Sequence, residues 1–350
     1  MIVVNTPGTW THAYPPLLHA EWHGWTFTDT IFPFFLFIVG VSMVFSFARR
    51  RAEGAARLDL FLHSARRGAI IFGLGLALNL LSYFVFHRAH LRIPGVLQRI
   101  GVVFLLAAAL YLALGKKGIA VAAVLLLVGY WALMTFVPVP GFGAGRLDLE
   151  GNLAAYVDRL VLGAHTWKPG WDPEGPLSTI PAVATTLLGA LAGEWLQSGS
   201  WKRKIAGLAG GGLAAFAAGL LWGCVFPINK NLWTSSYALA MSGLAAMVLA
   251  LLLLVVDVRG WRGWAAPFVW LGRNPIAAFV ASTLVTILML AVKLPGPEGK
   301  PRSLYATIYR TVFDRFADPR LGSLLFALTC LAAWVAIFGI AYRRKIFLKI

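Results

Sequence analysis

Apolar runs of roughly 18 or more residues recur from one end of this chain to the other, each long enough to cross a hydrocarbon layer as a helix. No other feature restricts the fold so severely, because backbone in lipid must satisfy its own hydrogen bonds and an open chain does so only as a helix. The charge content agrees. Of 350 residues 59% are hydrophobic and 13% charged, about half the charge of an ordinary soluble domain. The sequence predicts an all-α polytopic membrane protein with about nine complete transmembrane helices. They fall near residues 29–48, 68–86, 94–114, 119–137, 180–197, 205–223, 235–256, 267–291 and 323–342, within a single domain spanning 1–350.

A formal net charge of +17 would point to nucleic acid in a soluble protein. Here Arg49-Arg50-Arg51, Lys116-Lys117, Lys202-Arg203-Lys204, Arg259 with Arg262, and the tail RRKIFLK fall on alternate connections. That is the positive-inside pattern. It predicts a cytoplasmic C-terminus, a basic inner loop over 49–67, and outer loops at 6–28, 138–179, 227–234 and 292–322. The partner implied is the bilayer, with no nucleic acid: no recognition helix, zinc ligand set or aromatic-interleaved basic stripe is present. Cys224 and Cys330 sit in apolar context and read as packing thiols. Met1 to Val4 are apolar but end at once at Asn5 and Pro7. They read as the stub of a further helix, and the DNA upstream of the Met1 codon is expected to encode its remainder.

Candidate chemistry collects between His19 and Met43, where HAEWHGWTFTDT meets the run IFPFFLFIVGVSM. HAEWH is close to a zinc-protease HExxH helix, but its Glu stands one place late and no third ligand follows, so no metal is predicted. Asp29 opens a helix, where its carboxylate can accept unpaired backbone N–H groups. Ionisable groups within spans are costly and point to function; Arg99 beside Gln98 and Arg273 beside Asn274 are the clearest cases. From these residues alone, enzyme and transporter both stay open.

The stretch HAEWHGWTFTDTIFPFF is similar to the pattern H-A-x-W-x-G-x-T-x-x-D-x-x-F-P-x-F of the heparan-α-glucosaminide N-acetyltransferase family and its bacterial NagX-type members. LRIPGVLQRI (91–100), DPEGPLSTIPA (172–182), PINKNLWTSSY (227–237) and GRNP (272–275) resemble further blocks of that family in the same order. The resemblance implies a transmembrane N-acetyltransferase of the bacterial inner membrane. Its acetyl donor would be cytosolic acetyl-CoA, with no metal, and its acceptor the amine of a glucosamine-type sugar on the outer side. A second copy of the chain is a further candidate partner. The alternative is an inner-membrane permease for amino sugars such as N-acetylglucosamine.

By the same resemblance the active-site histidine falls on His19, with Asn5 and Asp29 at the other catalytic positions. His23 stands where the lysosomal enzyme has Asn, and is not expected to be essential. Acceptor contacts are expected from Lys230, Asn231, Trp233, Arg92 and Arg99, with the Trp233 ring stacking on a sugar. The phosphates of CoA are expected at Arg273, Asn274, Lys116, Lys117, Arg66 and Arg67. An imidazole suits amine acetylation because it can take a proton near neutral pH or attack a thioester itself.

Overall fold

The computed structural model describes residues 1–296 and 300–348 and is dominated by helices. In chain order these are α1 (Ile2–Asn5), α2 (Phe27–Ala52), α3 (Arg57–Val85), α4 (Val96–Phe136), α5 (Leu153–Val161), α6 (Thr179–Leu196), α7 (Trp201–Trp222) and α8 (Ser235–Leu252). They are followed by α9 (Ala266–Gly272), α10 (Pro275–Ala291), α11 (Leu304–Ile308) and α12 (Pro319–Arg343). Among the described residues seven helices are long and apolar enough to cross a membrane, or eight if the bent pair around Asn274 is one span. The sequence-based expectation of about nine differs at α4, where two expected spans form one 41-residue element broken at Gly115, whose φ is 65° and ψ −174°. The expected loop 292–322 includes residues 297–299, and the basic tail includes Lys349; these lie outside the described residues.

Helices α2, α4, α6 and α8 form the core, with Leu36, Val103, Ala184 and Ala240 inaccessible. Small residues set their spacing. A Cβ on Gly193 of α6 would lie 3.1 Å from the Val41 carbonyl oxygen of α2, and such close approach of backbones is how helices associate where lipid supplies no hydrophobic drive. Helix α7 packs on α8 through Gly212, where a Cβ would lie 2.8 Å from the Gly243 carbonyl oxygen.

One expectation is corrected at the connection between the first two long helices. The segment 49–67 is not a loop: α2 continues to Ala52 and α3 begins at Arg57, leaving 53–56 as the turn. Asp59 explains the early start, because its carboxylate accepts the Ala56 N–H at 3.0 Å and satisfies one unpaired donor of the first turn. The basic residues thereby become helical, and their side chains take fixed directions. At the other bend, Asn274 is buried between α9 and α10, which meet at 73°. Its amide donates to the Ile346 carbonyl at 3.1 Å and its oxygen accepts the Leu348 N–H at 2.8 Å, tying the break to the C-terminal tail.

Candidate active site

Helix α2 starts from a capping box. The carboxylate of Asp29, three residues into the box, accepts the Thr26 N–H at 2.9 Å, and the Asp29 N–H bonds back to the Thr26 carbonyl at 3.1 Å. The same oxygen, Oδ2, accepts the Ala20 N–H at 3.0 Å. Structure thus occupies one carboxylate oxygen and leaves the other, Oδ1, for His19, whose Nδ1 lies 2.5 Å away. Asp29 is 1% exposed and His19 51%. The Tyr237 hydroxyl donates to the Asp29 carbonyl at 2.5 Å and pins the first turn from below.

This pair opens on a small cavity of about 80 Å³ lined also by Asn5, Thr28, Phe32, Glu174 and Lys230. The loop carrying Lys230 is held against the His19 loop by a bond from the Gly24 N–H to the Ile228 carbonyl at 2.7 Å. Glu174 is a member missed at sequence level. It is clamped by Arg92, whose guanidinium lies 2.5 Å from it and 2.8 Å from each oxygen of Asp172. Burial pushes the Glu174 carboxyl up, but Arg92, Lys230 and Arg99 outweigh burial and hold it below its usual range. It therefore presents a fixed anion to the cavity. The sequence signal was its place in the quoted block DPEG, between two residues that could be explained structurally.

Four of the expected acceptor contacts lie outside this lining. Trp233 is 0% exposed; its ring packs edge-on against Phe32 and Tyr237, with centroids 5.0 and 5.5 Å away, and its N–H donates to Thr185. No sugar can stack on it there, and it instead backs the cavity wall through Phe32. Arg99 is likewise buried: it donates to the Gly175 carbonyl and to Ser178, and lies 5.3 Å from the Trp233 ring. Arg92 is committed to Asp172 and Glu174 and does not line the cavity. Asn231 is half-buried and also outside the lining.

A second cavity, about 490 Å³, lies at the opposite end of α2 and is strongly basic. Arg66, Arg67 and Arg273 line it, joined by Arg49, Arg50 and His63. Asn274 reaches the lining, but the chain tail uses its amide. Lys116 and Lys117 are exposed beside the Gly115 break and do not join this group, since they sit on a different helix end.

An apolar cavity of about 340 Å³ lies between the two. It shares Arg67, Pro275 and Ile276 with the basic end. Towards His19, its lining residues Phe35, Ile100 and Ile276 are one helical turn from Phe32, Val96 and Phe279 of the small cavity. On α2 the three linings form one stripe: Thr28, Asp29 and Phe32, then Phe35, Val39, Ser42 and Met43, then Ser46, Arg49 and Arg50. Steps of three and four residues keep one helix face. From Asp29 to Arg50 this face runs about 30 Å, roughly the thickness of a hydrocarbon core.

The chain is 29% identical to the heparan-alpha-glucosaminide N-acetyltransferases of Homo sapiens and Mus musculus, over 417 aligned positions that include all of this chain. It spans 58% of the length of those relatives. The family described as heparan-alpha-glucosaminide N-acetyltransferase, catalytic, matches residues 9–221, which contain His19, Asp29, Glu174 and the arginines of α2 and α3. The chain belongs to the heparan-alpha-glucosaminide N-acetyltransferase catalytic family.

Proposed function

We propose that this chain is a transmembrane N-acetyltransferase that takes acetyl from acetyl-CoA on the cytoplasmic side of a bacterial inner membrane. It passes the group to the amine of a glucosamine-type sugar on the outer side. The observation that carries this reading is the α2 stripe, which runs from a strongly basic end past an apolar stretch, read here as the donor's passage, to the His–Asp pair. A permease would need a passage wide and polar enough for a sugar, whereas this one is lined by Phe35, Ile71, Ile100 and Phe104. It suits the slender arm of a thioester. The topology that accompanies this reading has α4 crossing twice, turning at Gly115, with the C-terminus cytoplasmic. Arg99, near the start of α4, and Tyr130, near its end, both reach the Leu232–Trp233 segment, which supports that turn.

The chemistry follows from the proton positions. An ionised carboxylate only accepts, so the short contact to Asp29 puts the ring proton of His19 on Nδ1 and leaves a lone pair on Nε2. As the sugar nitrogen attacks the thioester carbonyl, Nε2 takes the amine proton and the C–S bond breaks, releasing the CoA thiol after the proton is passed on. Alternatively Nε2 attacks the thioester carbonyl first, breaking the C–S bond and expelling CoA as its thiolate; the amine then attacks the resulting acetyl-imidazole, the imidazole leaves, and the amine proton goes to it or to the thiolate. In both routes Asp29 balances the charge that develops on the ring. Asn5 makes no side-chain hydrogen bond among the described residues, so its amide is free to donate to the carbonyl oxygen as negative charge builds there. Glu174 and Lys230 orient the sugar.

The test is release of CoA thiol from acetyl-CoA plus glucosamine by the purified protein. His19→Ala should lower the rate by about 100-fold or more, the range for loss of a general base, while His23→Ala should keep most of it. Sugar uptake into proteoliposomes without any thiol release would favour the permease instead.

A further inference from the structure

We infer that the basic cavity contains a dedicated site for the 3′-phosphomonoester of the donor, separate from the place of its pyrophosphate, so that the protein distinguishes CoA from dephospho-CoA. This rests on the donor reading above and adds a specificity to it.

Charge balance is the first argument. Arg50, Arg66, Arg67 and Arg273 line the cavity with Arg49, and among the described residues no carboxylate lines it. Among the described residues only Arg49 has an acidic partner, Glu53 at 3.8 Å. Four guanidinium groups are left without a counter-charge. A pyrophosphate in a diester carries one negative charge on each phosphorus and would leave about half of that uncompensated; a phosphomonoester adds about −1.5 to −2.

The second argument is an orphaned donor. Arg50 Nε is buried and has no hydrogen-bond partner. The same side chain reaches His63 Nε2 at 3.1 Å, a contact that requires the ring nitrogen to accept and therefore brings no negative charge. Positive-inside topology asks only for cations near water; it gives no reason to bury a guanidinium N–H unpaired, which costs free energy until an acceptor arrives. The fork of Arg50 is shaped for an oxyanion.

Position separates the two phosphate sites. Arg67, Pro275 and Ile276 belong to both the basic cavity and the apolar passage, so they mark the neck where the pantetheine arm meets the pyrophosphate. Arg50, His63 and Arg66 line the basic cavity only. A phosphate carried on the ribose, beyond the pyrophosphate, falls among them.

The experiment titrates the purified full chain at low salt with acetyl-CoA and with acetyl-dephospho-CoA. The wild type should bind the first about 10- to 100-fold tighter, the range for loss of charge-assisted hydrogen bonds. Arg50→Gln should weaken acetyl-CoA by about tenfold or more, leave the dephospho compound nearly unchanged, and so remove the preference. His63→Gln should act in the same direction and more weakly. Equal affinity of the wild type for the two donors overturns the inference and leaves the donor reading intact, as does an Arg50→Gln protein that loses both donors alike. Absence of binding by either donor overturns both.

Discussion

The two ends of α2 handle charge in opposite ways. At the His19 end the acids that face the cavity are paired: Asp29 accepts from two backbone N–H groups and faces an imidazole, and Glu174 is held by an arginine, while behind them Arg99 and Asp158 keep unpaired atoms. At the arginine end the cations crowd together, only Arg49 has an acidic partner among the described residues, and a guanidinium N–H of Arg50 is buried unpaired. The first arrangement is stable as it stands and can hold reacting groups still, which is where electrostatic catalysis gains its advantage. The second is complete only when an anion enters. The proposed function uses this difference, placing reaction at the first end and donor binding at the second.

The sharpest way to break that comparison is Asp29→Asn. An amide at this position can still accept from Thr26 and Ala20, so the helix start survives at a cost of about 1 kcal/mol or less. It can also donate to His19 Nδ1, which forces the ring proton onto Nε2 and removes the lone pair the reaction needs. The turnover rate should fall about 100- to 10,000-fold while donor affinity, set at the far end, stays within a few-fold. A variant that keeps its turnover would mean the His19–Asp29 contact is only a cap.

The opposite end should answer to salt and to charge. Arg273 lines the basic cavity, whereas Lys116 and Lys117 do not. Arg273→Glu should therefore weaken acetyl-CoA binding by about tenfold or more, and Lys116→Glu or Lys117→Glu should change it little. Raising ionic strength should weaken the donor more than the acceptor, since exposed charges are screened beyond about 10 Å at 0.1 M. Equal losses from Arg273 and the lysine pair, read by titration, would reduce the basic face to a topology signal.

The sequence made one end more legible than the other. Helix positions follow from apolar runs alone, and His19, Asp29 and Lys230 sit in short motifs whose residue types already suggest chemistry. Glu174 was obscured because its meaning depends on Arg92 and Lys230, both remote in the chain. Trp233 is a related case: its place in the block PINKNLWTSSY suggests an acceptor contact, but the bonds of Asn229 to the Leu232 and Thr234 backbones turn this loop inward and the ring is buried. Arg49 and Arg50 read as topology until the α2 register put them on the face of Asp29. That register was computable from the spacing, yet it gains significance only once α3 proves helical from Arg57, bringing His63 and Arg66 alongside.

A smaller effect tests how firmly the His19 end is built. Asp158, in α5, is buried; its Oδ2 accepts the Asp172 N–H at 2.8 Å, and its Oδ1 has no partner. Burial pushes its carboxyl from 3.8 up to about 7, with the nearby Asp172 adding to burial and the Asp172 N–H, Arg99 and Arg159 opposing it. The folded state therefore keeps a proton that the unfolded chain loses, and stability from this group falls as pH rises between about 4 and 7. Glu174, shifted the other way, contributes stability that is lost only below its usual range, so the two effects occupy different windows. Asp172 is raised like Asp158, first by burial, so the wild-type slope belongs to both. Asp158→Asn isolates one of them: it should match the wild type in thermal unfolding near pH 5 and exceed it near pH 8. The His19–Asp29 contact lies outside this group, so turnover at pH 5 should be nearly unchanged. If wild type and variant lose the same amount of Tm between pH 5 and pH 8, Asp158 is ionised in the folded protein, and the loop behind Glu174 rests on a buried charge pair with Arg99 instead.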